Sequence, residues 1–197
     1  MKFNYIFLFI LILSISSLKN TFASKKMQLE IITFGKIEDF VLEYLKEKLT
    51  EVFSVQVYIG SSFDLPEYAY NKKRNQYLAT LILDKINPSS KEKKILAIID
   101  KDLYAPELNF IFGQADPQKG VCIISLIRLH QAYYGLKENQ DLFLLRSLKE
   151  AVHEIGHLLG LGHCPNPKCV MHFSNSLLDT DKKDYRFCAS CKKKIDE

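Results

Sequence analysis

The chain of 197 residues has no tryptophan, three methionines, five cysteines and five histidines, and no repeat or low-complexity block is apparent in it. That absence sets aside solenoids and fibrous arrays. Eight glycines and six prolines, with 47% hydrophobic and 25% charged residues, are ordinary for a folded domain. The longest apolar run, residues 3–15, is broken by Asn4 and Ser14 and is short of the ~20 residues a membrane helix needs. Charge of one sign is also in short supply: the net charge is +4. The basic residues that do gather, Lys182, Lys183, Arg186, Lys192, Lys193 and Lys194, read more readily as a solvated tail than as a nucleic-acid surface, so no specific nucleic-acid partner is expected. At this length one domain, or one with a small appendage, can bury a sizeable core.

Residues 1–23 have the form of a secretion signal, with Lys2 before the apolar run and Thr21-Phe22-Ala23 as a cleavage site. A secreted or periplasmic location follows from a cleaved signal. A retained membrane anchor, or a mis-assigned start that leaves the protein cytoplasmic, are the alternatives. After it, apolar stretches at residues 29–34, 55–59, 95–99, 109–113 and 121–129 read as strands. Helical spacing runs through 37–53, part of 77–86 and 141–159. The order gives an α/β (α+β) domain with a mixed sheet. Residues 109–113 are expected as an edge strand over a cleft, or as an ordinary core strand. Cys122, inside an apolar run, is expected to be a buried small hydrophobe, and nothing marks His130 as a ligand.

Chemistry concentrates in HEIGHLLGLGHCPNPKCVM, residues 153–171. His153 and His157 are four apart, hence on one helical face, where two imidazoles can reach one ion. Glu154 between them is placed to act as base toward a water on that ion. Gly160 can turn the chain where a Cβ would be strained, which returns His163 as a third ligand and leaves a fourth position open. Three fixed residues alone recur by chance at about one position in 10⁴; the added Gly and His lower that about four-hundredfold. Leu145, Leu148, Val152, Ile155 and Leu159 form an apolar stripe expected to pack on the sheet, with the two histidines roughly opposite.

Cys164 and Cys169, then Cys188 and Cys191, are two short-spaced pairs that suit a closed tetrahedral zinc tying the tail to the active helix. Disulfides are the alternative a secretory signal would favour. Met171 is either an apolar floor under the imidazoles or a core residue. His172 is read as an outer or surface residue, less readily as a further ligand.

These residues resemble the archaemetzincins, metzincin-clan zinc metalloproteases in which a cysteine motif overlaps the third histidine. The resemblance is carried by residues 153–164, Cys169, Met171 and the Cys188-x-x-Cys191 pair, also by residues 109–113 and 171–176, and more loosely by most of residues 28–195. It implies a metzincin-like mixed twisted sheet backed by helices and an active-site helix. Residues 27–163 would form an N-terminal subdomain, and 164–197 a small C-terminal one bound by zinc. It further implies a catalytic zinc on His153, His157 and His163, Glu154 as general base toward a zinc-activated water, and Met171 as a Met-turn. A second zinc would sit on the four cysteines, making two ions per chain. A peptide or protein substrate, with aminopeptidase-like cleavage as one option, and a monomer are expected; a membrane enters only if the N-terminal segment is retained. The rivals are a catalytically weak two-zinc binding module for peptide or protein, and hydrolysis of a non-peptide amide. The 16 residues between Met171 and Cys188 are about one fewer than the family pattern, and a secretion signal is unexpected in it. With Lys25 and Lys26 directly before the first strand, latency through a cysteine-bearing prosegment is not expected.

Overall fold

The computed structural model describes residues 27–196, so the N-terminal signal or anchor segment lies outside the described residues. Four parallel strands make up most of the main sheet: β1 (Gln28–Phe34), β2 (Val57–Phe63), β5 (Lys93–Ile99) and β8 (Val121–Ser125). Helices α1 (Asp39–Phe53), between β1 and β2, and α2 (Ala79–Lys85), before β5, cross between them. A short antiparallel strand, β7 (Gly113–Asp116), pairs with β8 and closes the order β2-β1-β5-β8-β7. A separate three-stranded ribbon is made of β3 (Tyr70–Asn71), β4 (Gln76–Leu78) and β6 (Leu103–Tyr104). Its strands are only two or three residues long, too short for a sequence period to register.

Side chains alternate across a strand, and here both faces are covered, which is why the strands read as unbroken apolar runs. Leu29, Ile31, Leu96, Ile98, Cys122 and Ile124 point to one side, packing on Leu45 and Leu49 of α1 and on the long helix α3 (Gln140–Leu158). Ile32, Phe34, Ile95, Ala97, Ile99 and Ile123 point to the other, where Ile82 and Leu83 of α2 cover them. The result is the mixed α/β layering anticipated above. Two short helices, α4 (Leu177–Lys182) and α5 (Ala189–Asp196), end the chain. Among the described residues no helix is long and apolar enough to cross a membrane.

Three elements differ from the sequence reading. The second strand begins at Val57 and runs through Phe63, because its edge position leaves Tyr58 onward exposed and removes the apolar signal. The strand expected at 109–113 starts only at Gly113; residues 109–112 are irregular, tied down by one bridge from Ile111 to Leu103. The stretch expected as one strand over 121–129 stops at Ser125 and continues as a tight helical turn, Ile127–Leu129.

Candidate functional site

Helix α3 opens on Asn139, whose side chain accepts from the Leu142 amide at 3.0 Å, and runs to Leu158. Every residue from 146 to 156 is buried. Leu148, Val152 and Ile155 of the expected stripe pack into the core, but Leu145 and Leu159 are only half-buried. The opposite side is enclosed as well, by chain that follows the helix, a closure no helical period can reveal. Gly160 takes φ +86°, and the chain turns back so that His163 faces the pair on the helix.

His153 Nδ1 donates to the Val170 carbonyl and His157 Nδ1 to the Leu161 carbonyl, each at 2.8 Å. A carbonyl only accepts, so both imidazoles carry their proton on Nδ1 and turn a bare Nε2 lone pair inward. Those two Nε2 atoms lie 3.2 Å apart. Two lone pairs at that distance repel unless a cation lies between them. A tetrahedral zinc with Zn–N of about 2.0–2.1 Å would space its nitrogens about 3.3–3.4 Å apart. His163 completes the group, its ring 5.0 Å from His157 and 5.4 Å from His153, and ligand nitrogens of all three fall within 4.8 Å of one another. Burial holds His153 down to about 4, against the pull of Glu150, and lowers His157 and His163 too. Neutral imidazole is the form that binds metal. These residues fit a zinc ion.

Glu154 is 5% exposed and lines the same cavity. Burial pushes its carboxyl well above the usual range, the charge of Glu150 adds to this, and Lys183 opposes it. Gly113, the first residue of β7, lies directly over it. A Cβ there would come to 2.7 Å from Glu154 Cγ and Oε1, so any larger residue would push the Glu154 side chain aside. The cavity measures about 820 Å³. The irregular segment before β7, Gly113, Gln114 and Ala115 of that strand, and Phe173, Ser174, Asn175, Glu150 and Lys183 are among the residues that line it. Met171 is fully buried against Gly156, with Phe187 beside it, under the helix that carries His153 and His157.

The four late cysteines form a second cluster. Their sulfurs all lie within 4.8 Å of one another, with Cys164 and Cys188 at 3.8 Å, and all five cysteines are free. A disulfide needs about 2.05 Å, whereas a zinc with Zn–S of about 2.3 Å would space its sulfurs about 3.8 Å apart. The Ser190 hydroxyl at 3.1 Å and the Cys191 backbone draw the Cys188 thiol down to about 6, while burial raises Cys169 and Cys191. Cys164 donates its amide to Met171 O at 2.9 Å, and Val170 donates to Arg186 O at 3.1 Å, so one short loop touches both clusters. His172 joins neither; its Nδ1 donates to Cys164 O at 2.9 Å. Cys122 is buried in the core, and His130 stacks on Phe143 and pairs with Glu138, away from both.

Lys183 departs from the sequence reading. It is not part of a solvated tail: its side chain is fully buried, 3.2 Å from Glu150. Sequence reasoning also missed Gly113 and the carbonyls of Val170 and Leu161. Backbone acceptors leave no trace in residue identity, and only the glycine ending an apolar run hinted at the first.

Residues 18–197 match the sequence model of Peptidase family M54. A protein described as an archaemetzincin, from Methanocaldococcus jannaschii, is 45% identical over 171 residues, which is 87% of this chain and 94% of that one. The crystal structure of archaemetzincin from Archaeoglobus fulgidus, complexed with malonate, superimposes with a TM-score of 0.76 at 37% identity, covering 85% of this chain and 99% of the other. That from Methanopyrus kandleri gives 0.76 and 37% as well, over 88% and 96%.

Proposed function

The chain belongs to peptidase family M54, the archaemetzincins, and is a zinc metalloprotease acting on peptide or protein; from this we propose that His153, His157 and His163 hold the catalytic zinc and that Glu154 is the general base. One observation carries the ligand assignment: two imidazoles, each with Nδ1–H committed to a carbonyl, turn unprotonated Nε2 atoms to within 3.2 Å of each other. A bound zinc supplies a Lewis acid and an acidified water at neutral pH. The chain's own part is to position and to move protons. The Val170 and Leu161 carbonyls fix the tautomer and orientation of the imidazoles. The Glu154 carboxylate accepts a proton from the attacking water at its Oε atoms and can return it to the departing amine. Its burial raises its proton affinity, which suits a group that must take a proton and give it up again. β7 is the last strand of its sheet among the described residues and lines the cavity, and its outer edge would pair with an extended peptide backbone.

The second cluster, Cys164, Cys169, Cys188 and Cys191, is proposed as a structural zinc site, giving two ions per chain; the 3.8 Å sulfur spacing supports it. The test is Glu154→Ala with metal analysis beside a peptide-library digest. Turnover should fall by about 10²–10⁴-fold with zinc content unchanged. Activity near the parent level in a clean preparation would reject Glu154 as the base.

A further inference from the structure

The chain between β6 and β7 is irregular apart from the bridge at Ile111, yet Leu108 to Phe112 all line the active-site cavity. It enters through a turn in which Leu108 N donates to Ala105 O at 3.1 Å and Glu107 takes φ 64°. A residue with a Cβ holds that left-handed conformation only where the surroundings fix it.

What fixes it lies outside the active-site cavity. Arg74, in the loop between β3 and β4, donates from Nη2 to the Leu108 carbonyl at 2.8 Å and to the Asn109 carbonyl at 2.9 Å. Its Nε donates to Gln76 Oε1 at 2.8 Å, and its guanidinium lies over the Tyr104 ring, 4.4 Å from the centroid. Gln76 Nε2 donates to the same Asn109 carbonyl at 2.8 Å and to Asp102 Oδ2 at 3.0 Å. Asp102 accepts from Arg128 Nε and Nη2, both at 2.6 Å. The Arg128 guanidinium in turn lies over the Phe110 ring, 4.2 Å from its centroid, a cation–π contact. One connected set of bonds, Arg74–Gln76–Asp102–Arg128, therefore grips the segment at two carbonyls and one ring. All four residues line a separate cavity, and Asn109 borders both.

β7 is held by other means. Gly113 to Asp116 pair with β8, and Ser125 N donates to the Phe112 carbonyl at 2.8 Å. The approach of Gly113 to Glu154 is thus secured separately from the grip on residues 108–110.

We propose that Arg74 and Arg128 are positioning residues for the substrate. Through Gln76 and Asp102 they hold residues 108–110 in the shape that receives the peptide, and so set its affinity without taking part in the chemistry. The proposal rests on the peptidase reading above and adds to it which residues outside the cavity govern binding. A segment released from these bonds spends less time in the receiving shape, and the apparent dissociation constant rises as the inverse of the fraction that remains.

Arg74 is exposed, so Arg74→Ala tests this with little risk to the fold. With a peptide cut in the library digest, KM should rise about tenfold while kcat stays within about threefold of the parent, at unchanged zinc content. Arg74→Lys keeps an ammonium that can donate to the two carbonyls and should recover part of the loss. A role in stability alone gives the opposite split: a smaller folded fraction lowers apparent kcat and leaves KM where it was. Arg128→Leu/Asp102→Asn removes both charges together, so that neither is stranded, and should raise KM in the same direction. The two Arg74 variants decide the matter if that pair does not fold. Anisotropy of a fluorescently labelled peptide on zinc-loaded Glu154→Gln protein, with and without Arg74→Ala, reads binding without turnover. If nothing is cut, the peptide is chosen from the library by retention on that protein. Binding about tenfold weaker with Arg74→Ala, in a protein that cuts no peptide, supports the positioning role and refutes the peptidase reading. Cleavage with KM and affinity unchanged, or with kcat alone lowered, overturns the positioning role and leaves the peptidase reading standing. A parent that neither cuts nor retains any peptide overturns both.

Discussion

At the scale of single residues, the site depends on atoms that do no chemistry. The Val170 and Leu161 carbonyls decide which nitrogen of each histidine is free, and Gly113 decides where the Glu154 carboxyl can lie. Gly113→Ala puts a methyl group on that carboxyl without left-handed backbone strain, so the side chain must move aside. A misplacement near 1 Å costs about 10²-fold in rate. The expected outcome is a kcat lowered by about that factor at unchanged zinc content, measured by steady-state kinetics beside metal analysis. His153 supplies a second prediction, for the metal-free protein. Its folded pKa, about 4, lies below the ordinary 6.5, so between these values the unfolded chain binds more protons. Stability contributed by the neutral imidazole is complete above pH 6.5 and is lost as the pH falls toward 4. The loss from this residue approaches about 3 kcal/mol, and urea midpoints of the chelated protein across that window should fall accordingly.

At the scale of elements, α3 is the part whose sequence and structure agree most and differ most. Its extent was legible to within a residue at each end, because apolar residues recur at helical spacing and Gly160 stops it. Its surroundings were not. Arg146, Lys149 and Glu150 are charged, yet all three are buried because α4 and the residue after it return with Thr180, Asp181 and Lys183 as their partners. These partners lie some 30 residues away, beyond any local period. Asp181→Ala strands the Arg146 guanidinium, only 4% exposed, and should cost about 3 kcal/mol in urea unfolding. A loss of only a few tenths would mean that α4 is not bolted to α3 in this way. The strand expected at 109–113 shows the complementary failure. Phe110, Ile111 and Phe112 are apolar enough for a strand, but the paired segment is the more polar Gly113–Asp116, because register is set by β8.

At the scale of the molecule, one loop serves two clusters. The turn from Leu161 to Met171 contributes His163 to one and Cys164 and Cys169 to the other, and the C-terminal segment closes on it through Cys188 and Cys191. If the cysteines hold a structural zinc, its binding energy is folding energy for this segment. Replacing both Cys188 and Cys191 by serine should remove one zinc per chain and make residues 164–196 cleavable by an added protease, with residues 27–163 still resistant. Plasma emission for zinc and mass spectrometry of a limited digest would record both; two zincs and an intact tail would reject the assignment. The helix, the histidine and cysteine sets and the family were all legible in the residues alone. The helix, the His153/His157 pair and the two cysteine pairs are written in spacings of three to five residues, where local backbone geometry brings side chains together. The close approach of Gly113 to Glu154, the position of β7 at the end of its sheet among the described residues and the burial of Lys183 against Glu150 come from the packing of the chain. Those facts depend on which distant segments meet, and that is settled by how the whole core packs.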